Sequence, residues 1–172
     1  MTDFFAALGS NLGDREGMIS AALLALSEAP GLEIACVSSI YETEPVGPAD
    51  QPDYLNAVVG GRSSLEPAAL FSLFERTEIA LGRRRRPRWR EREIDIDLLL
   101  LEDRIVRTPI LQVPHPRMCR RRFVLEPLAE VAPDVRHPLW GLSVAELLRD
   151  CPRIHAVRRI GSLEASGALL SC

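Results

Sequence analysis

The sequence predicts an α+β fold: an antiparallel sheet with helices packed on it and extra helices towards the C-terminus. Three observations support this prediction. Strand-like and helix-like hydrophobic patterns follow one another in the order strand, helix, strand, strand, helix, strand. Each of the first two helical segments is bounded by residues that typically start or stop a helix. The 172 residues and the 47% hydrophobic content are those of one ordinary globular domain.

A change of hydrophobic period separates the first strand from the first helix. Phe4 to Leu8 is a short apolar strand that ends at Gly9-Ser10-Asn11. Asp14 then suits the N-cap of a helix, since its side chain can accept a backbone N–H of the first turn. The apolar positions of this helix follow helical spacing: Met18, Ile19, Ala22, Leu23 and Leu26. Pro30 and Gly31 end it.

Two further strands flank a proline-rich loop. Polar and apolar residues alternate from Leu32 to Thr43, which predicts a half-buried strand. Residues 44–53 contain three prolines and a glycine and predict a loop. From Tyr54 to Arg62 the alternation resumes, so that Tyr54, Asn56 and Val58 share one face of a strand.

The second helix and the strand after it complete the predicted core. The helix opens around Pro67, carries an apolar stripe that includes Phe74, and ends at Gly82. The arginine-rich segment 83–92 is expected to be an exposed, mobile loop, and Ile94 to Leu101 a mostly buried strand. This order is the split βαβ, ferredoxin-like arrangement, with the helices on one face of the sheet.

The remaining chain predicts only short elements. Helical patterns cover residues 124–131 and 143–149. We expect a single domain over residues 1–160 and a loosely ordered tail over residues 161–172.

Every one of the 21 cationic side chains is an arginine, and the chain has no lysine. This excludes a Walker-type phosphate loop, a protein kinase and Schiff-base enzymes, which all need a lysine. A GC-rich genome can account for the use of arginine in place of lysine, but not for where the arginines lie in the sequence. Residues 83–122 hold 13 arginines against 6 acidic residues, although the chain has a net charge of −3. A basic segment in an acidic protein favours a small polyanionic ligand over a long nucleic acid.

The N-terminal segment and the cysteines predict a cytoplasmic protein. The N-terminus lacks the basic and apolar pattern of a signal peptide, and no apolar run is long enough to span a membrane. The four cysteines are scattered without a Cys-x-x-Cys motif, as is typical of reduced thiols. We therefore expect neither a disulfide framework nor a zinc site.

Asp95 and Asp97 are the first candidates for chemistry. Positions i and i+2 of a strand point to the same face, which sets the two carboxylates side by side about 7 Å apart. Such a pair suits Mg²⁺, a hard ion that takes few protein oxygens beside phosphate and water. Two solvated acids at a strand end are the alternative.

Four further features could contribute to a site. The run Arg83 to Arg92 is either a solvated charge run, a nucleic-acid patch, or a set of guanidinium groups for phosphoryl transfer, with Trp89 as a flat stacking face. Glu78 lies in the last helical turn, where an acid is disfavoured; it is a ligand contact or a surface acid with an Arg neighbour. His115 lies between two prolines, and it has either a structural role or a role in a functional site. Tyr54 and Asn56 could read a flat polar ring or form an ordinary strand surface.

An ordered set of motifs resembles one known family. The set consists of Gly9-Ser10-Asn11-Leu12-Gly13-Asp14, Tyr41 to Gly47, Gln51 to Asn56, Glu78 with Gly82-Arg83-x-Arg85, Arg88-Trp89-x-x-Arg92-x-x-Asp95-x-Asp97, Pro114 to Arg117, and Arg121 to Leu128. Over residues 4–135 this set is similar to the 6-hydroxymethyl-7,8-dihydropterin pyrophosphokinases of folate biosynthesis, a family with a ferredoxin-like core. The resemblance implies transfer of the β,γ-pyrophosphoryl group of ATP to the pterin hydroxymethyl oxygen, with release of AMP.

The resemblance also implies residue roles. Asp95 and Asp97 would hold two Mg²⁺ ions, and Arg83 and Arg92 would neutralise charge during transfer. The residues implied to bind ATP are Glu78, Arg85, Arg88, Leu98, Gln112, His115 and Arg121. The residues implied to form the pterin pocket are Thr43, Val46, Tyr54, Asn56, Trp89 and Phe123. The implied partners are these two small molecules, with no nucleic acid and no membrane, and the protein is expected to be a monomer.

Two other classes of protein compete with this interpretation. A ferredoxin-like RNA-binding module would carry stacking aromatics on its central strands. Phe4 and Phe5 are adjacent and face opposite sides, and the strand at 94–101 has no aromatic residue. A catalytically inactive regulatory domain is disfavoured by the intact pair Asp95 and Asp97.

Overall fold

The computed structural model describes residues 1–45, 51–84 and 91–163. Its larger sheet is built from strands β1 (Thr2–Ser10), β2 (Leu32–Val37), β3 (Ile40–Thr43), β4 (Tyr54–Ser63), β5 (Asp95–Leu101) and β8 (Val157–Gly161), and a small two-stranded sheet from β6 (Val106–Arg107) and β7 (Gln112–Val113). The helices are α1 (Arg15–Ser27), α2 (Pro67–Ala80), α3 (Arg122–Val131) and α4 (Val144–Asp150), with a 3-10 helix at Met118–Arg120.

The larger sheet is antiparallel at every pairing in the described residues. Its strand order is β5-β1-β4-β3-β8, and β2 also pairs with β4. The predicted mixed fold with an antiparallel sheet is therefore confirmed. If β2 and β3 are counted as one interrupted strand, the elements up to β5 follow the predicted order strand, helix, strand, strand, helix, strand.

The predicted strand over 32–43 is interrupted at Ser38 and Ser39. The Ser38 hydroxyl accepts the backbone N–H of Val58 at 2.8 Å and donates to the Ser39 carbonyl at 2.8 Å. These side-chain bonds replace part of the ladder between β4 and its neighbours. The chain consequently pairs with β4 as two short strands.

Local signals set the start of α1 and both ends of α2 as predicted. The Asp14 side chain accepts the backbone N–H of Gly17 at 3.0 Å and caps α1. Pro67 occupies the first turn of α2, and Gly82 follows this helix with a φ of 91°. A positive φ at this position is what glycine tolerates and other residues avoid.

Two apolar layers lie on opposite faces of the sheet. On one face, α1 and α2 pack against residues such as Phe4, Leu8 and Ile96. On the other face, α3 and α4 pack against Val58 and residues of β5. The core helices thus lie on one face as predicted, and the C-terminal helices cover the other, which the sequence pattern did not specify.

The C-terminal strand β8 was not predicted. It pairs with β3, and Arg158 forms an ion pair with Glu42 of that strand. Arg159 donates to the Ser39 hydroxyl at 2.7 Å and lies 3.3 Å from Glu130 of α3. Because β8 is held by polar contacts with distant residues, its own apolar pattern is too weak to reveal it.

None of the helices in the described residues has the length and the hydrophobicity that a membrane span requires.

Candidate active site

A cavity of about 480 Å³, called here the main cavity, lies between α2 and the start of β5. Its lining is dominated by charged side chains: Glu75, Glu78, Arg83, Arg84, Arg92, Asp95 and Asp97. Asp95 and Asp97 project from one face of β5, as their spacing predicts, because Ile96 between them is buried in the core with 4% exposure. The structure therefore joins the predicted acidic pair to part of the arginine segment.

Two guanidinium groups face the carboxylate of Asp95. Arg83 Nη1 lies 2.9 Å from Asp95 Oδ1, and Arg92 Nη1 lies 3.8 Å from the same oxygen. Burial raises the pKa of Asp95 and the nearby Asp97 carboxylate raises it further, while the two arginines oppose this shift. A cation bound beside this pair would relieve the repulsion between the two carboxylates.

A second pair of groups faces Asp97. Arg121 Nη1 and His115 Nε2 lie 3.7 and 3.8 Å from Asp97 Oδ2. Burial, together with nearby arginines, lowers the pKa of His115 to about 4, so its ring is neutral at pH 7. Its Nδ1 accepts the backbone N–H of Arg117 at 3.2 Å, which assigns the ring proton to Nε2. The ring therefore presents an N–H donor towards the acidic pair.

Glu78 is a buried residue that connects α2 to β5. The residue is only 4% exposed and lies at the edge of the core. Its carboxylate accepts the backbone N–H of Ile96 at 2.6 Å and forms an ion pair with Arg83. Burial raises the pKa of Glu78 to about 7. The alternative of a surface acid is wrong, although the expected arginine neighbour is present. Its geometry positions Arg83 and the start of β5.

The predicted pterin-side residues meet across β3 and β4. Thr43 pairs with Tyr54 and Tyr41 pairs with Asn56 in the sheet register. The buried Asn56 side chain donates from Nδ2 to Thr43 Oγ1 at 2.9 Å. This bond fixes the orientation of the amide beside the half-buried ring of Tyr54.

Gly9 forms the floor between the pterin-side residues and the acidic pair. It pairs with Asn56 on one side and with Asp95 on the other. A Cβ at Gly9 would lie 3.4 Å from Asn56 Oδ1 and 3.9 Å from the Tyr54 ring. Because residues opposite each other in a ladder share a face, the row Asn56, Gly9, Asp95 leaves an open strip in its centre.

Asn11 links the segments on either side of this strip. Its Oδ1 accepts the backbone N–H of Arg92 at 2.8 Å, and its Nδ2 donates to the Pro52 carbonyl at 3.2 Å. Its backbone N–H also donates to the Arg92 carbonyl at 3.2 Å. Asn11 is fully buried, so these bonds define where residues 51–53 and 91–92 meet the end of β1. The sequence motif contained Asn11, but no role was predicted for it.

Other predicted residues lie at the edges of the site or outside the described residues. Leu98 is buried in the core, so only its main chain can reach a ligand. Gln112 is exposed on β7 and is not among the residues lining the main cavity. Phe123 lies in the first turn of α3, with Arg121 at 5.6 Å from its ring centre. Four predicted residues fall in segments 46–50 and 85–90, outside the described part of the chain: Val46, Arg85, Arg88 and Trp89.

Sequence reasoning missed one wall of the main cavity. Phe71, Glu75 and Ile79 follow one another at i+4 spacing along the outer side of α2. The 68% exposure of Ile79 is unusual for so apolar a side chain. Its position opposite the buried stripe was the signal that could have indicated a binding surface.

The acidic pair offers part of a metal site. No group of three or more His, Cys, Asp or Glu side chains that could hold a metal occurs in residues 1–45, 51–84 and 91–163. Asp95 and Asp97 are carboxylates on one strand face with side-chain exposures of 33% and 38%, and carboxylate oxygens are the ligands of hard divalent cations. They fit such an ion if phosphate and water oxygens complete its shell.

The sheet, the paired carboxylates and the guanidinium groups around them are typical of an enzyme that transfers a phosphate-containing group. The family model of 7,8-dihydro-6-hydroxymethylpterin-pyrophosphokinase (HPPK) matches residues 5–133. The chain belongs to this family and is an enzyme of the pyrophosphokinase type, which confirms the resemblance noted from its motifs.

Curated relatives agree with the family match. The chain is 42% identical over 148 residues to 2-amino-4-hydroxy-6-hydroxymethyldihydropteridine pyrophosphokinase of Pseudomonas aeruginosa, covering 86% of this chain and 91% of the relative. It is 46% identical over 131 residues to the Bacillus subtilis enzyme of the same name, covering 76% and 78%.

A solved structure has the same fold. The crystal structure of Plasmodium falciparum HPPK-DHPS triple mutant with STZ-DHP superposes with a TM-score of 0.69 at 14% identity. The match covers 86% of this chain and 43% of that longer chain. At this identity the likeness concerns the fold alone.

Proposed function

We propose that this protein transfers the β,γ-pyrophosphoryl group of ATP to the hydroxymethyl oxygen of 6-hydroxymethyl-7,8-dihydropterin, with Mg²⁺ and with release of AMP, in folate biosynthesis. The observation that carries the proposal is the row Asn56, Gly9 and Asp95 across three neighbouring strands. In this row the Asn56 side chain, which can hydrogen-bond to an amide, lies two strand spacings from the acidic pair. Two strand spacings are about 10 Å. That distance suits a flat bicyclic ring that ends in a reactive hydroxymethyl group.

The pterin ring is proposed to lie over Gly9. Asn56, oriented by Thr43, would read the polar edge of the ring, and Tyr54 would stack beside it. Phe123 is proposed to contact the opposite side of the ring, and the resemblance adds Val46 and Trp89 from outside the described residues. The open strip above Gly9 supports this orientation because a side chain there would occupy the same space.

ATP is proposed to bind along the main cavity. Arg83 and Arg92 would contact the phosphates from one side of the acidic pair, and Arg121 and His115 from the other. The outer wall formed by Phe71 and Ile79 offers an apolar surface to the nucleoside.

The resemblance assigns further ATP contacts. Glu78 would act through its contact with Arg83, and Leu98 through its main chain, since its side chain is buried. Gln112, Arg85 and Arg88 are proposed ATP contacts on the resemblance alone.

Charge neutralisation is the main task of the side chains here. Two Mg²⁺ ions held by Asp95 and Asp97 with the phosphates would polarise the attacking hydroxyl and offset developing negative charge. Arg83, Arg92 and Arg121 add guanidinium groups that can bind phosphate oxygens bidentately. The rigid sheet would hold both substrates in line for attack at the β-phosphorus, which would lower the entropic part of the barrier. No strong protein nucleophile is required.

The proposal also covers the cellular location and the oligomeric state of the enzyme. The three cysteines in the described residues are free, which fits a reducing, cytoplasmic environment. We propose that the enzyme acts as a monomer on its two small-molecule substrates.

Product analysis tests the proposed function. The enzyme is incubated with ATP, Mg²⁺ and 6-hydroxymethyl-7,8-dihydropterin, and the released nucleotide is separated by chromatography. AMP that appears only when the pterin is present is the expected result. ADP, or AMP at the same rate without pterin, would contradict pyrophosphoryl transfer to the pterin. Replacement of Mg²⁺ by a chelator should stop AMP release, which tests the metal separately.

A further inference from the structure

The row of residues across the sheet continues beyond Asn56 to the strand at the sheet edge. Tyr41 of β3 is paired with Asn56, and Arg159 of β8 is paired with Tyr41. Residues opposite each other in a ladder share a face of the sheet. Tyr41 and Arg159 therefore lie on the same face as the pterin-side residues, on the side of Asn56 that is remote from Gly9.

The carboxylate of Glu130 joins α3 to the start of β3. Glu130 Oε2 accepts the Tyr41 hydroxyl at 2.8 Å and the Ser39 backbone N–H at 3.1 Å. Glu130 Oε1 accepts the Ser39 hydroxyl at 2.7 Å. Hydrogen bonds to an ionised acceptor are shorter and stronger than bonds between neutral groups. Three bonds to one carboxylate therefore fix the start of β3 against the last turn of α3.

Arg159 holds this carboxylate from the C-terminal strand. Its Nη2 lies 3.3 Å from Glu130 Oε1, and its Nε donates to the Ser39 hydroxyl at 2.7 Å. The Ser39 hydroxyl thus accepts from Arg159 and donates to Glu130. Arg159 lies beyond the segment matched by the family model, which ends at residue 133. The C-terminal strand consequently supplies a cation to a network whose other members belong to the matched segment.

The Tyr41 hydroxyl is a permanent donor in this network. Tyr41 is buried between β4 and β8. Burial, together with the hydrogen bond and the negative charge of Glu130, raises the pKa of Tyr41 to about 12. The hydroxyl therefore keeps its proton, and its bond to Glu130, at neutral pH.

The network lies between two elements that carry proposed pterin contacts. Thr43 follows Tyr41 by two positions on the same face of β3, and its Oγ1 accepts the Asn56 amide at 2.9 Å. Phe123 lies in the first turn of α3, the helix whose last turn carries Glu130. The bonds of Glu130 thus join the strand that orients the amide to the helix that carries the aromatic ring. A change in the spacing of β3 and α3 would alter the room for a pterin between them.

We propose that Glu130 and Arg159 are positioning residues for pterin binding, because together they hold β3 against α3. Neither side chain contacts the pterin in this proposal. Both act through Tyr41 and Thr43, which keep the amide of Asn56 in place. The inference rests on the proposed function, since it concerns the pterin side of that active site.

Steady-state kinetics of Arg159→Gln and Glu130→Gln test the proposal. AMP release is measured with the pterin varied at saturating ATP, and with ATP varied at saturating pterin. We expect the KM for the pterin to rise about threefold in Arg159→Gln and about fivefold in Glu130→Gln, while kcat and the KM for ATP change less than about twofold. The double variant should be no worse than Glu130→Gln alone, because residues of one hydrogen-bond network do not act additively. The Arg159 side chain is 61% exposed, so Arg159→Gln is expected to fold even if Glu130→Gln does not.

Arg158→Gln is a matched control on the same strand. Arg158 is paired with Glu42, which lies on the opposite face of β3 and keeps Arg15 as a second partner. The variant removes an ion pair between β8 and β3 without affecting Glu130, so the KM for the pterin should change less than about twofold. Denaturant unfolding of Arg158→Gln and Arg159→Gln separates stability from positioning. Loss of folded protein lowers kcat with both substrates alike, whereas loss of positioning raises the KM for the pterin alone.

The results also distinguish this inference from the proposed function. If the parent protein releases AMP and both Arg159→Gln and Glu130→Gln keep its KM for the pterin, only the positioning role is overturned. Equal rises of this KM in Arg158→Gln and Arg159→Gln, or equal rises of the KM for the pterin and for ATP, would overturn it too. Absence of AMP release by the parent would overturn the proposed function, and this inference with it.

Discussion

Asp95 and Asn56 lie in one row across the sheet, two strands apart, with Gly9 of the central strand between them. Asp95 belongs to the charged side of the site and Asn56 to the side that can read a polar ring. The two residues are 39 positions apart in sequence and are brought together by the pairing of β1 with both neighbours. The site is therefore built across the sheet, and its centre is a residue without a side chain.

Gly9→Ala should impair pterin binding while the fold is retained. The added Cβ would lie 3.4 Å from Asn56 Oδ1, an ordinary contact for the protein, but it would project into the space proposed for the ring. We expect the KM for the pterin to rise about tenfold, with the KM for ATP little changed. Gly161→Ala, where a Cβ meets nothing within 4 Å, is the control. An unchanged pterin KM would show that the ring does not lie over Gly9.

Asp97→Asn should abolish most of the turnover without unfolding the protein. The substitution keeps the shape of the side chain but removes the carboxylate of the acidic pair that faces Arg121 and His115. We expect AMP release to fall about 10³-fold, as is typical when charge stabilisation is lost at a phosphoryl-transfer site. Asp103→Asn changes an exposed acid in the turn after β5 and should retain activity. Turnover of Asp97→Asn within a few-fold of the parent would exclude Asp97 as a metal ligand.

Glu78 should make the stability of the ligand-free protein depend on pH. Its pKa is raised from 4.5 to about 7, so the folded state binds a proton more tightly than the unfolded chain. The parent protein should therefore lose stability as the pH rises from about 4.5 to about 7, by about 3 kcal/mol relative to Glu78→Gln.

Denaturant unfolding of both proteins at several pH values measures this difference. The Gln side chain can still accept the Ile96 N–H, so the comparison isolates ionisation. Glu75→Gln on the same helix should follow the parent protein at each pH. Parallel curves for Glu78→Gln and the parent would contradict the proposed ionisation.

Asn11→Ala should weaken both the fold and the site. It leaves the Arg92 N–H and the Pro52 carbonyl without their side-chain partner, which we expect to cost about 2 kcal/mol or more of unfolding free energy. AMP release should fall as well, since Arg92 loses its position. Ser10→Ala is a matched control, because the neighbouring buried Ser10 hydroxyl has no hydrogen-bond partner in the described residues. Equal stability of the two variants would contradict the role of Asn11.

Sequence patterns were most informative where the physical cause is local. The cap at Asp14 and the stop at Gly82 depend on a few neighbouring residues, and both helices have the limits these residues predict. The common face of Asp95 and Asp97 follows from the two-residue period of a strand. By contrast, the strand over 32–43 is interrupted because Ser38 bonds to Val58, a residue twenty positions away.

The order of the core elements, the acidic pair and the family to which the chain belongs could be predicted from the sequence, because caps, periodicity and motif spacing are properties of nearby residues. The burial of Glu78 against Ile96, the support of β3 by β8 and the position of Gly9 between Asn56 and Asp95 became visible only in the folded protein. The register between strands is the physical reason. It is set by hydrogen bonds and packing between residues far apart in the chain, and a one-residue shift would turn each side chain to the other face.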